Sequence, residues 1–223
     1  VAISINVSAA AAIANKDDLK TWIAEEVDRD LSDITDNLDK WILMAEARFN
    51  REIRSPEMEK SVTALITGED TPLPADYLAM RAIYIDGSPD RPLRGMAPSA
   101  IRQEFDGTTG VPVAYTLVSE ALRLVPPPAS DADILITMDY WARIDALSTA
   151  SPSNWLLEKH PDAYVTAVLF HYYRWSKDRE SAMDANAICQ GLIDQINRSS
   201  RNDRFGAGPL VPNHVVQTRG GAC

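Results

Sequence analysis

Apolar positions fall into three textures along the chain. Between Lys16 and Val27, Leu19, Trp22, Ile23 and Val27 recur at helical spacing, with Asp17 and Asp18 where the positive end of a helix dipole favours them. A second, longer helix is predicted to start near Ser32 or Asp33, either of which can cap it. Its stripe is Ile34, Leu38, Trp41, Ile42, Ala45, Phe49 and Ile53, and Pro56 ends it. From Ser61 to Tyr140 the helical period is lost and short β-rich runs alternate with turn residues. The predicted strands of this small sheet are Val62 to Thr67, Ala82 to Ile85, Val113 to Val118, Leu122 to Val125 and Ile134 to Tyr140. A short helix is expected over Pro98 to Phe105. Turns are marked by Asp86-Gly87-Ser88-Pro89 and Thr108-Thr109-Gly110, and Pro126-Pro127-Pro128 stops a strand.

After Ser148 the helical period returns. Asn154 introduces a turn carrying Trp155, Leu156 and Leu157, and Pro161 suits the first position of a long helix. One stripe of that helix is Tyr164, Val168, Leu169, Tyr172 and Trp175; a second is Ala185, Ile188, Cys189, Leu192, Ile193 and Ile196. The charged stretch Lys177-Asp178-Arg179-Glu180 between them is either a break or a solvated surface. From Ser199 to Cys223 the chain holds four glycines, two prolines and three arginines with almost no period, the composition of an extended arm. Its apolar residues, Phe205, Leu210, Val211, Val215 and Val216, suit an arm that orders against a partner.

The expected class is therefore α+β, mainly helical. It comprises a helical bundle with a small β-sheet insertion and an extended C-terminal arm: N-terminal helices over 1–60, the β-rich insertion over 61–147, the long helix over 148–198 and the arm over 199–223.

Charge changes the picture. The formal net charge of −10, from 32 acidic and 22 basic residues, opposes the phosphate neutralisation on which DNA affinity rests. It suits a wall past which a polyanion slides. No apolar run reaches the roughly twenty residues of a membrane span, so none is expected. Ser8 to Ala14 is too short for a signal sequence and lacks a basic leader, which points to intracellular synthesis and makes the segment a flexible arm or a helix approach.

Candidate chemistry is sparse. Cys189 sits in a helical stripe as a small core residue, and Cys223 is an exposed thiol or part of a loose tail. His160, His171 and His214 have neither ligand spacing nor a cysteine partner, so no metal or cofactor is expected. His160 reads as a helix-end residue and His171 as a surface or intersubunit residue. No glycine-rich phosphate loop and no glycine-flanked serine elbow is present. Glu25, Glu26, Glu46 and Glu52 read as solvated faces or intersubunit ion pairs. The periodicity of Trp22, Trp41, Tyr164, Tyr172 and Trp175 indicates core packing. Trp155, in a turn, can plug a bundle end or a neighbouring subunit.

Read in order, several motifs resemble the head-to-tail adaptor, or head-completion, family of tailed bacteriophages. They are Ala45-Glu46-Ala47-Arg48-Phe49-Asn50-Arg51, Leu73-Pro74-Ala75-Asp76-Tyr77 with Met80-Arg81-Ala82-Ile83, and Gly110-Val111-Pro112-Val113-Ala114-Tyr115. Next come Leu124-Val125-Pro126-Pro127-Pro128 and Tyr140-Trp141-Ala142-Arg143-Ile144 with Leu147. Last are Asn154-Trp155-Leu156-Leu157 and His160-Pro161-Asp162-Ala163-Tyr164. One departure is Ser119-Glu120, where a tight hairpin favours glycine or asparagine; a loop wider than two residues would accommodate the pair.

The resemblance implies a non-enzymatic virion protein of the portal vertex, or neck, assembled in the host cytoplasm. It implies a homo-oligomeric, portal-matched, dodecameric ring that extends the DNA channel. Its partners would be the portal protein and tail or nozzle proteins, with viral DNA passing through the lumen without sequence-specific binding. The arm is assigned to the portal, with Arg201, Arg204, Phe205, Leu210 and Val211 as anchors, and Trp155 and His171 as subunit-interface candidates. The alternatives are a virion-associated peptidoglycan hydrolase, supported by the abundant carboxylates, and another connector such as a stopper or tail terminator.

Overall fold

The computed structural model describes residues 13–66, 70–86, 92–104, 109–129 and 134–205. Its class is mixed α+β: among the described residues 49% are helical and 25% lie in strands.

Helix α1, Lys16–Glu26, is capped by Asn15, whose side chain accepts from the amides of Asp17 and Asp18. Helix α2, Leu31–Glu52, starts a residue or two before the expected caps. Asp30 is its N-cap without a side-chain bond, so Ser32 and Asp33 fall in the first turn. The predicted α2 stripe is buried from Ile34 to Ile53. After a 3-10 turn at Pro56–Met58 come strands β1, Glu59–Ile66; β2, Asp70–Pro72; β3, Tyr77–Ile85; and β4, Arg94–Gly95. Helix α3, Pro98–Glu104, precedes β5, Ala114–Val118; β6, Ala121–Val125; and β7, Ile134–Ala142. Helix α4, Trp155–Lys159, α5, Pro161–Ser176, and α6, Arg179–Phe205, complete the chain.

The β region is two sheets rather than one. Strands β1-β7-β3 form one, antiparallel throughout, and β2-β6-β5-β4 the other. Alternation along β7 sends Ile136, Met138, Tyr140 and Ala142 inward, where they meet Leu122 and Leu124 of β6 in a shared core. Trp141, on the opposite face of β7, packs toward the helices. The short strands β2 and β4 carry no hydrophobic alternation; pairing to β6 and β5 alone defines them.

Two local expectations are corrected. The β5–β6 connection is a two-residue turn, Val118 pairing with Ala121, and Ser119 and Glu120 both take the left-handed backbone that such a turn demands (φ 50° and 63°). Side-chain pairing along both strands overrides the local preference. The charged stretch after Trp175 is a break, because Lys177 adopts φ 66° and terminates α5. The expected single long helix is thus a hairpin, α5 and α6. Helix α6 also runs beyond Arg198 to Phe205, two turns past the end of the sequence pattern.

Helices α1, α2, α4, α5 and α6 share one core. Ring contacts Phe49–Tyr164 and Trp41–Tyr172, with centroids 5.0 and 5.8 Å apart, set α2 and α5 antiparallel. Trp41, Tyr164 and Tyr172 are core residues as expected, but Trp22 and Trp175 are 42% and 51% exposed, which removes them from the predicted core. Cys189 is fully buried; Cys223, His214 and 1–12 lie outside the described residues. No helix among the described residues is long and apolar enough to cross a membrane.

Candidate functional site

The C-terminal half of α2 holds the helices to the sheets. Ala45-Glu46-Ala47-Arg48-Phe49-Asn50-Arg51 places Ala45 and Phe49 in the core and sends polar side chains in two directions. Glu46 Oε1 accepts from the Leu147 amide at 2.7 Å, and Asn50 Oδ1 from the Ile144 amide at 2.8 Å. These two bonds pin the strand-free segment that returns the chain from β7 to α4. On the other side, the Arg48 guanidinium donates to Asn186 Oδ1 at 2.9 Å and Gln190 Oε1 at 2.8 Å, both on α6.

Glu46 is 4% exposed, which overturns its reading as a solvated carboxylate. Tyr164 joins it: its hydroxyl bonds to the Glu46 carboxylate and accepts from Asn154 Nδ2 at 2.7 Å. Asn154 Nδ2 also donates to the Asp145 carbonyl, while its Oδ1 caps α4 by accepting from the Leu157 amide. Burial raises the Glu46 carboxyl above its usual range despite the Leu147 amide, Lys16 and Tyr164, each of which favours the ionised form. Burial likewise raises the Tyr164 hydroxyl. The network is internal and satisfied, a scaffold for the connection between the two halves.

At the sheet entrance, Asp76 ties three elements. Its carboxylate accepts from Lys60 Nζ at 2.6 Å and from the Tyr140 hydroxyl at 2.9 Å, and its carbonyl accepts from the Arg143 amide at 2.7 Å. The Tyr77 and Tyr140 rings stack beside it, 5.9 Å apart. Burial and then Asp76 push the Tyr140 hydroxyl up to about 12.

Where α2 ends and α6 nears its end, a pocket of about 540 Å³ opens between helices and sheet. It is lined by Arg54, Arg198 and Arg201 together with Glu52, Asp194 and Trp141. Asn197 crosses it, accepting from the Arg54 amide and donating to the Glu52 carbonyl, both at 2.9 Å. Arg201 therefore lies on a helix, at the edge of a locally basic pocket. Arg204 and Phe205 belong to the last turn of α6, their side chains outside the described set, and Leu210 and Val211 lie outside the described residues altogether.

The interface candidates are elsewhere. Trp155, half-buried on α4, packs against the helical core, and His171, half-buried on α5, lies beside Phe170 with ring centroids 5.0 Å apart. Burial, then Arg174 and Arg48, hold the His171 imidazole below its usual range and hence neutral. Neither approaches Arg201's pocket. Pattern reading missed Glu46, Asn50, Asn154 and Tyr164 as a unit, since they come from three elements; the one signal available was that each stands in a motif quoted above. Among the described residues no cluster of histidine, cysteine and carboxylates is arranged to hold a metal ion.

A helical half and a two-sheet half are joined by a buried polar clasp, in which Glu46, Asn50, Asn154 and Tyr164 serve the connection. The chain matches the family model for the SU10 adaptor protein over residues 14–213 and belongs to that family of phage head-to-tail adaptors. No curated protein matches it. Family membership makes it a structural adaptor component of the phage virion neck.

Proposed function

We propose that the chain assembles into a portal-matched, dodecameric ring that extends the DNA channel, with the helical bundle and sheets as its body and no enzymatic activity. The observation that carries this reading is the adaptor match across 14–213, which includes helices, both sheets and the clasp between them. The portal protein binds one face and tail or nozzle proteins the other, after assembly in the host cytoplasm. A formal charge of −10 supports a lumen past which DNA slides without sticking.

The arm that reaches the portal is the segment after Phe205, with Arg201 and Arg204 on the helix that launches it. Repetition around a ring would multiply a weak arm contact into firm attachment. Cryo-microscopy of the full chain mixed with portal tests the reading. A twelve-fold ring coaxial with the portal is expected; saturated portals carrying no ring would refute it. Release of peptidoglycan fragments by the purified chain would refute the non-enzymatic part.

A further inference from the structure

We infer that residues 1–7 of this chain add a fourth strand to the β1-β7-β3 sheet, running antiparallel along the open edge of β1. The added strand closes an edge that would otherwise offer itself to the sheet of another copy. It concerns how one chain covers its own sheet and so stands apart from the ring reading.

Every other sheet edge among the described residues is guarded. The register of β3 on β7 shifts between Tyr77 and Ala79 and between Met80 and Ala82, Tyr84 bridges to Pro92, and the Ile83 carbonyl accepts from the Leu93 amide at 2.8 Å. At the edges of the second sheet, β2 is three residues long with Asp70 and Pro72, and β4 is two residues long. By contrast, β1 keeps eight residues in unbroken register with β7. Its stretch Ser61-Val62-Thr63-Ala64-Leu65-Ile66 has no charge, no proline and no bulge. Among the described residues, the backbone of 61–66 bonds only to β7. A long, regular, uncharged edge is a template for a further strand.

The side chains show the same opening. Lys60, Val62, Ala64 and Ile66 share the face of β1 that turns toward the sheet core. Ile66 is buried there, Ala64 packs against that core and Met138, the partner of Val62 on β7, is buried. Yet Val62 is 36% exposed, so the core is uncovered on its side of the sheet. The opposite face of β1 carries Ser61, Thr63 and Leu65. Val1-Ala2-Ile3-Ser4-Ile5-Asn6-Val7 alternates in the same sense, with Val1, Ile3, Ile5 and Val7 on one face and Ala2, Ser4 and Asn6 on the other. Setting Ile5 opposite Val62 places Ile3 beside Ala64 and Val1 beside Ile66. The same register sets Ser4 opposite Thr63 and Asn6 opposite Ser61, so the segment matches 60–66 in length and in both faces.

Connectivity sets the direction and the donor. The Lys16 amide donates to the Pro152 carbonyl at 2.8 Å, and Lys159 pairs with Glu57, two residues before β1 begins. The start of α1 and the start of β1 are thus tied to the two ends of one short run, 152–159, which includes α4. Between Val7 and Lys16 an extended chain spans up to about 30 Å, several times the ~8 Å length of α4. Val7 can therefore lie at the Glu59 end of β1, which makes the pairing antiparallel. The parallel direction would require Val7 to reach the Ile66 end, a further ~25 Å along the strand. So short a tether also gives the segment a far higher effective concentration at its own β1 than at that of another copy.

Two measurements on the full chain test this. In a Cys223→Ser background, with Cys189 buried, Ser4→Cys and Thr63→Cys together should form a disulfide within one chain. Directly opposed residues place their Cα atoms about 4.5–5.5 Å apart, the separation such a bond needs. Peptide mass spectrometry identifies the bond, and non-reducing electrophoresis shows whether it lies within a chain or between chains. Hydrogen exchange reads the pairing without added cysteines. Deleting residues 1–7, or Ile3→Asp with Ile5→Asp in the full chain, should speed exchange at least about tenfold at the alternate amides of 61–66 that point away from β7, while α5 and α6 keep their protection. A disulfide between chains would overturn the own-chain assignment and give the strand to a neighbouring copy. Faster exchange without the disulfide would overturn the register but keep the strand. Unchanged exchange in both variants would overturn the strand itself, with or without the disulfide.

Discussion

Glu46 shows how a single side chain can connect two halves of a protein. Replacing it with alanine strands the Leu147 amide and the Tyr164 hydroxyl inside the core, which should lower unfolding free energy by about 2–4 kcal/mol in urea titrations. Glu46→Gln keeps an acceptor for the amide and removes a buried charge, so its cost should be below about 1 kcal/mol. The pH dependence has a definite sign. Because the folded carboxyl is raised above its ordinary value of 4.5, its contribution is fully present below that value and is lost as pH rises through the folded pKa. Wild-type protein should therefore gain stability from this group on acidification from neutrality toward pH 4.5, and the glutamine variant should lack that gain. Glu57 works in the other direction: burial opposes, but Lys159 and Ser55 hold its carboxyl down to about 2, so its contribution is lost as pH falls from 4.5 toward 2. Being partly exposed and paired at the surface, it should show this only weakly and less at high salt. Thermal melts of Glu46→Gln and Glu57→Gln across pH 3 to 7 separate the two. None of this was legible at Glu46 itself, because its place on an amphipathic helix fits a solvated face equally well. Burial came from a segment a hundred residues away.

At the scale of elements, the β5–β6 turn is the place where local preference and tertiary demand disagree. Ser119 and Glu120 both hold positive φ, at a cost of about 1 kcal/mol or more for residues other than glycine and asparagine. Ser119→Asn with Glu120→Gly should thus raise stability by about 1 kcal/mol without altering the register, read from denaturant midpoints and the amide exchange of β5 and β6. The same physics applies to the left-handed Lys177 that separates α5 from α6, where glycine is the favoured residue. The helical stripes were readable because an amphipathic period of 3.6 survives in the sequence wherever a helix buries one face. The division into two sheets was not, since β2 and β4 are short, exposed and specified by their partners' backbones. The end of α6 was missed for a related reason: beyond Arg198 the helix continues without an apolar stripe, as Asn202, Asp203 and Arg204 give no period to detect.

For the whole molecule, the extent of α6 moves the boundary that matters for attachment. A truncation after Arg198 removes two helical turns, including buried Ser200 and the pocket residue Arg201, and so perturbs the fold as well as any arm. Truncation after Phe205 is the cleaner cut. It should leave the unfolding midpoint within a degree or two while reducing portal binding at least about tenfold, measured by co-sedimentation with portal. If the full fold and the ring surface are independent of the arm, the same truncated chain should retain wild-type self-association.

The sequence by itself determined the helical stripes, the β-rich middle, the absence of a membrane-length apolar run, the acidic balance and, through ordered motifs, the adaptor family. These are properties carried by neighbours in the chain or by composition, and they persist without knowledge of the fold. Tertiary structure alone decided that the β region is two sheets, that Glu46 is buried, that Trp22 and Trp175 are not, and that α6 runs on to Phe205. Each of those depends on which distant segment covers a residue, and a linear pattern holds no record of that cover.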